Sequence, residues 1–107
     1  MRASYAKALP RNWQHIARVF MALGEEHRQR ILLMFAPGEK LSVAAIVAAS
    51  ALSRSAVAHH LAVMRAAGVL HAQRAGRQVF YTPDPQAVRA ALDAVRDYLD
   101  VHFPPSE

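Results

Sequence analysis

The apolar positions of the chain keep a helical rhythm, switch to alternation, and return to a helical rhythm. Over residues 12–23, Trp13, Ile16, Ala17 and Phe20 recur at three- and four-residue steps, the period of a helix with one apolar side. Asn12 stands where a cap is expected, and Gly24 ends the run. A second helix is predicted over about 25–36. Glu25 and Glu26 suit its positive N-terminal end, and Ile31, Leu32 and Phe35 mark its apolar side. Pro37-Gly38 reads as a turn. Ser42 is placed to cap a short third helix reaching Ala48 or Ala49, with Val43, Ile46 and Val47 inward. After a break around residues 50–52, Ser53 caps a fourth helix that ends at Gly68.

From Leu70 the period becomes two. Residues 70–74 and 78–82 read as strands, joined at Ala75-Gly76-Arg77, where glycine supplies the positive φ of a tight turn. Pro83 and Pro85 stop the second strand, because neither can donate to a ladder. A last helix is predicted over about 85–102. Its Val88, Leu92, Val95 and Leu99 follow the four-three-four spacing of a coiled-coil seam, and Pro104-Pro105 ends it. Two short helices across a turn of a few residues have helix-turn-helix spacing. The fold class is therefore mainly α with a small β-hairpin, in one domain over 1–107. The helix-turn-helix lies at about 42–67, the hairpin at about 69–82 and the last helix at about 85–102.

Composition adjusts this picture. The apolar fraction is 53%, but 22 residues are Ala, which favours helix and buries little surface. The core is expected to be lean, with room for a second subunit to contribute. The absence of Cys removes disulfides, thiolate metal sites and cysteine nucleophiles together. No apolar run reaches the roughly 18 residues of a membrane span. Residues 1–4 lead into no stretch of signal-peptide type, so the expectation is a soluble, cytoplasmic protein.

The net charge of +5 is concentrated. Between Glu39 and Asp84 there is no carboxylate, while Lys40, Arg54, Arg65, Arg74 and Arg77 fall there with His59, His60 and His71. From Asp84 onward acids outnumber bases. An unopposed basic block is what phosphate neutralisation needs. At about 100° per residue, the fourth helix puts Val57, Leu61 and Met64 on one side with His60 beside them. Ser55, Ala58, His59 and Ala62 lie opposite, with Arg54 and Arg65 at the edge. Small side chains let such a helix sink into a major groove about 12 Å wide. Arg54 is placed either to pair with guanine or to grip a phosphate, and both readings stay open. Arg74 and Arg77 flank Gly76 at the hairpin tip, within reach of an adjacent groove or phosphate. Adjacent helical residues point about 100° apart, so His59 and His60 do not suit one metal ion. His60 reads as a hydrogen-bonded side chain at the core boundary. The candidate DNA-binding residues are Arg54, Ser55, Ala58, His59, Arg65, Arg74 and Arg77.

Four stretches now form a pattern: Leu23-Gly24-Glu25-Glu26-His27-Arg28-Gln29-Arg30-Ile31-Leu32; Leu52-Ser53-Arg54-Ser55-Ala56-Val57-Ala58-His59-His60-Leu61; Ala67-Gly68-Val69-Leu70; and Gly76-Arg77-Gln78-Val79-Phe80-Tyr81. The chain resembles the ArsR/SmtB family of winged helix-turn-helix transcriptional regulators over roughly residues 13–100. The resemblance implies a prokaryotic homodimer that represses transcription from a double-stranded, inverted-repeat operator and is released by an inducer. The dimer would form through the first and last helices, with Trp13, Ile16, Phe20, Val88, Leu92, Val95 and Leu99 at the interface. Twofold symmetry would set the recognition helices about 34–36 Å apart.

Three departures bear on the signal. Glu25-Glu26-His27 replaces the Asp-Pro-Thr of many members, and only Arg28 is kept. Ser42 and Ala44 stand around Val43 where thiolate-sensing members carry Cys-Val-Cys. Asp84-x-Gln86 and Asp97-x-x-Asp100 stand where other members place imidazoles, so oxygen ligands alone remain, with His102 one turn on. No metal and no cofactor is assigned. The plain reading of Asp93, Asp97 and Asp100 is a solvated face, with Asp93 paired to Arg89 and Arg96. Trp13, Phe20, Tyr98 and Phe103, with Met21 and Met34, line either a pocket for a small-molecule inducer or ordinary core. The chain has no nucleophile–base–orienter set and no phosphate loop, so no enzyme is expected. The alternative is a winged-helix module that binds protein without specific DNA binding. The small, donor-rich outward face of the fourth helix weighs against it, because protein interfaces favour large aromatic anchors.

Overall fold

The computed structural model of the protein describes residue 5 and residues 7–106. Residues 1–4, which the sequence reading set apart from a signal peptide, lie outside the described residues. In chain order the elements are α1 (Arg11–Leu23), α2 (Glu26–Leu32), β1 (Leu41–Ser42), α3 (Val43–Ser50), α4 (Arg54–Ala66), β2 (Leu70–Ala75), β3 (Gln78–Pro83) and α5 (Pro85–His102).

Side chains satisfy the free amides at four of the helix starts. Glu25 Oε2 accepts from the Arg28 amide at 3.0 Å, Ser42 Oγ from Ala45 at 3.1 Å, Ser53 Oγ from Ala56 at 3.1 Å, and Asp84 Oδ1 from Gln86 at 3.0 Å. Pro85 takes the first helical position of α5, where its missing N–H costs nothing. Helix α1 differs from expectation. The Gln14 amide already bonds the Pro10 carbonyl at 3.0 Å, so Asn12 lies inside the first turn and caps nothing. Helix α2 stops earlier than its periodicity suggested. Met34 and Phe35 donate back three residues, to Ile31 and Leu32, and this tightened turn leads into Pro37-Gly38.

Helix α4 ends at Ala66, two residues before the glycine predicted to stop it. Gly68 adopts φ +78°, its amide bonds the Arg65 carbonyl, and the Val69 amide bonds that of Met64. Those two bonds are a Schellman closure, which leaves the glycine just beyond the helix.

Helices α3 and α4 meet at 120°, the geometry of a helix-turn-helix. The turn between them passes through Ala51, a non-glycine residue at φ 59°. The sheet is antiparallel in the order β1-β3-β2. Strands β2 and β3 form the predicted hairpin, closing at Ala75 opposite Gln78 around Gly76-Arg77, with Gly76 at φ +63°. Strand β1 was not foreseen. It pairs Leu41 with Tyr81 and Ser42 with Phe80, and two residues are too few to show a period.

The core is one cluster. Ile16, Val19 and Ala22 of α1 meet Ile31, Ile46, Val57, Leu61, Met64, Val69, Leu70 and Ala91. Each large aliphatic side chain buried there contributes about 1.5–3 kcal/mol over its exposed state. Ile16 is a correction to the sequence reading: at 3% exposed it belongs to the chain's own core and offers nothing to a partner. No single helix among the described residues is long and apolar enough to cross a membrane.

Candidate nucleic-acid interface

Helix α4 is anchored by one side and presented by the other. Val57, Leu61 and Met64 are fully buried, while Arg54, Ser55, Ala58, His59, Ala62 and Arg65 are all exposed. Arg54 and Arg65 are eleven residues apart, so they stand on nearly the same meridian about 16 Å apart along the axis. Between them lie methyl groups, a hydroxyl and an imidazole. Ser53 is held by its capping bond, and its Oγ lies 3.3 Å from that of Ser55. Ser55 thus stands exposed beside the cap, in the first turn of α4.

The hairpin brings one further cation, Arg77, to the same side. Arg74, Ala75, Gly76 and Arg77 are all exposed at its tip. Between hairpin and helix is a notch of about 350 Å³ lined by Ser42, Val43, Ala44, Arg54, Arg77, Gln78 and Val79. Two guanidiniums far apart in sequence thus border one concavity. Arg65 stands at the other end of α4, in its last turn, and does not line this notch.

Behind α4 is a polar arrangement that sequence reasoning missed. Arg28 is 9% exposed, the buried charged residue among the described ones. Its Nε donates to the Ala22 carbonyl at 2.8 Å, its Nη2 to the Met21 carbonyl at 3.0 Å, and its Nη1 lies 3.3 Å from His60 Nδ1. His60 does sit at the core boundary, as its helical position suggested, with its side chain 13% exposed. Burial pushes the His60 pKa below its ordinary value. Glu25 opposes that shift, and the cationic surroundings of Arg28, His27 and His59 add to it. Glu25 loses some solvation, which alone would raise its pKa, but the Arg28 amide and the nearby His27, His60 and Arg28 charges leave it lowered. The retained Arg in the Leu-Gly-x-x-x-Arg stretch was the one available signal, and it carried no indication of a partner 32 residues away.

The outer face of α1 and α5 is apolar and open. Phe20 is 42% exposed, Leu92 53% and Leu99 47%. Val88 and Val95 are half-buried against the core, and Trp13 packs edge-on to Tyr98 with ring centroids 5.2 Å apart. The aromatic and methionine set proposed for a pocket is divided. Trp13 and Tyr98 border a cavity of about 320 Å³ with Asn12, Ala94, Asp97, Val101 and His102, whereas Met34 borders another with His27 and Leu52. Asp84 is occupied: Oδ1 caps α5 and Oδ2 lies 2.8 Å from His71 Nε2. Asp93 makes no ion pair with Arg89 or Arg96, contrary to expectation; its exposed position leaves little to hold such a pair together. Among the described residues no three His, Asp or Glu side chains come together as a metal would require.

Residues 23–72 match the family model for a helix-turn-helix domain. The chain is 38% identical over 82 residues to the arsenic resistance transcriptional regulator ArsR1 of Pseudomonas putida, covering 74% of this chain and 64% of that protein. The chain therefore spans a little under two thirds of that relative. It is 31% identical over 96 residues to the transcriptional activator HlyU of Vibrio cholerae, covering 83% of this chain and 88% of that one. An ArsR-like transcriptional regulator from Rhodococcus sp. RHA1 shares the fold, with a TM-score of 0.73 at 24% identity and 80% of each chain covered. With its presented α4, basic hairpin and these relatives, the chain belongs to the ArsR/SmtB family of winged helix-turn-helix transcriptional regulators.

Proposed function

We propose that the protein is a homodimeric repressor that reads an inverted-repeat operator in double-stranded DNA and leaves it in response to a signal. One observation carries the reading: a single helix has Val57, Leu61 and Met64 fully buried and Arg54, Ser55, Ala58, His59 and Arg65 exposed on its other side. Such a helix is rigidly held and free to enter a major groove. Arg74 and Arg77 on the wing add contacts to the flanking backbone or groove. The open apolar strip of Phe20, Leu92 and Leu99, with Val88, Val95 and Trp13 behind it, supports dimerisation through α1 and α5. The cavity beside Trp13 and Tyr98, on that same seam, is where a small-molecule inducer would bind. No cofactor and no catalysis are assigned. The protein would act where the chromosome is, in the cytoplasm.

The test is selection of duplexes from a randomised pool, followed by gel shifts. Selected duplexes should carry inverted repeats with half-sites about one helical turn apart. Affinity should fall about 10³–10⁵-fold between about 50 and about 200 mM salt if 6–10 phosphates are neutralised. Enrichment of no sequence, or salt-independent binding, overturns the proposal. A reporter driven by a selected site then reads the sign of regulation.

A further inference from the structure

A guanidinium only donates hydrogen bonds, so the contact between Arg28 Nη1 and His60 Nδ1 requires a lone pair on Nδ1. His60 is therefore neutral in this arrangement, with its proton on Nε2. Through the same guanidinium, the carbonyls of Met21 and Ala22 at the end of α1 are tied to α4. We propose that Arg28 and His60 are positioning residues that brace the recognition helix, and that a proton on His60 Nδ1 opens the brace and weakens DNA binding. This rests on the DNA-binding reading of α4.

The chemistry provides two alternative arrangements. With Nδ1 unprotonated, the imidazole accepts from Arg28. With Nδ1 protonated, the acceptor is gone and two cations face each other at 3.3 Å. Glu25 Oε2 lies 3.9 Å from the same nitrogen and offers the imidazolium an anionic partner. A short swing of the ring therefore exchanges one partner for the other, which is how a histidine changes a packed contact near neutral pH.

The surrounding groups set the bias. From α2 and its cap come Glu25, His27 and Arg28, and the His27 ring centroid is 5.8 Å from that of His60. On α4 itself the His59 ring is 5.7 Å away. From α1, Arg18 faces α4 further along, beside Ala62 and Ala66. Helix α3 contains no titratable side chain, and His71 of β2 is engaged with Asp84. Burial and the cationic neighbours keep His60 below its ordinary pKa, as the neutral, Arg28-bonded form requires. His59, on the proposed DNA-facing side, is the next residue of the same helix, so any shift of α4 at His60 is felt at the interface.

Binding of the full chain to a duplex selected from a randomised pool would be measured at constant ionic strength at about pH 7.5 and about pH 5.5. Wild-type affinity should drop as pH falls, towards the limit of about tenfold that a one-unit difference in pKa between free and bound protein sets once the pH is below both values. His60→Asn keeps an acceptor near Nδ1 and does not titrate, so its affinity should change less than about threefold. Parallel profiles for the two proteins overturn the proposal. Without any DNA, ¹⁵N-edited imidazole spectra of the wild type should show the Nε2–H tautomer at about pH 7.5. The Arg28 Nη protons should lose protection as His60 titrates. An Nδ1–H tautomer, or Arg28 protection indifferent to that titration, also overturns it. If no duplex is enriched, the DNA-binding reading fails, and the spectra still decide the brace.

Discussion

His71 Nε2 lies 2.8 Å from Asp84 Oδ2, joining the base of the wing to the first turn of the last helix. The same Asp84 donates its amide to the Val69 carbonyl at 2.8 Å and caps α5 through Oδ1. One residue thus links the element proposed to touch DNA with the helix proposed to form the dimer.

Asp84→Ala should lower stability by about 1 kcal/mol, the usual cost of losing an N-cap. His71→Ala should cost less, because that side chain is largely exposed. Urea unfolding of both variants and the double variant reads the coupling. Strictly additive losses would mean that the His71–Asp84 contact contributes nothing to the fold.

Ala51 occupies a left-handed position at the end of α3, where an L side chain is strained. Ala51→Gly should therefore stabilise the protein by up to about 1 kcal/mol. Thermal unfolding checks this. The Ser50 Oγ bond to the Leu52 amide should be kept, because it does not involve the substituted side chain.

Arg54 and Arg77 border one notch, so their contributions to DNA binding are expected to be coupled. If Arg54 reads a base, Arg54→Ala costs about 1–3 kcal/mol on the selected site and relaxes preference at one position. If it grips a phosphate, the loss is the same on every sequence, and the salt slope falls by about one. Arg77→Ala should behave as a phosphate contact, and the double variant should lose less than the sum.

Leu92→Asp and Leu99→Asp place charges on an exposed strip outside the monomer core. Sedimentation should show single subunits, while circular dichroism keeps the helical signal. Ile16→Ala should instead unfold the monomer by about 2–5 kcal/mol, as expected of a core position.

Acidification should destabilise the fold. His60 titrates below its ordinary 6.5 when folded, so the unfolded chain binds the proton first as pH falls. Stability is then lost from near 6.5 downward, until the folded value is passed. Glu25 acts in a lower window: its contribution is present above its ordinary 4.5 and is lost as pH falls through its depressed value. Melting temperatures across this range should decline more steeply for the wild type than for His60→Asn between about pH 7 and about pH 5.5.

Much of the molecule follows from short-range chemistry that the sequence displays. Ser42 and Ser53 cap the helices they precede, Gly76 makes the hairpin turn, and 100° arithmetic sorts the buried from the exposed side of α4. All of these depend on neighbours within about four residues, so order along the chain suffices. The tertiary structure decided the rest. Apolar spacing put Ile16 and Phe20 on one helical side, but only the packing of α4 and α5 against α1 buries the first and leaves the second open. Strand β1 exists because Tyr81 and Phe80 offer it a ladder. Arg28 meets His60 across 32 residues, and His71 meets Asp84 across a hairpin. Contacts of that kind are set by how elements pack, and periodicity carries no record of them.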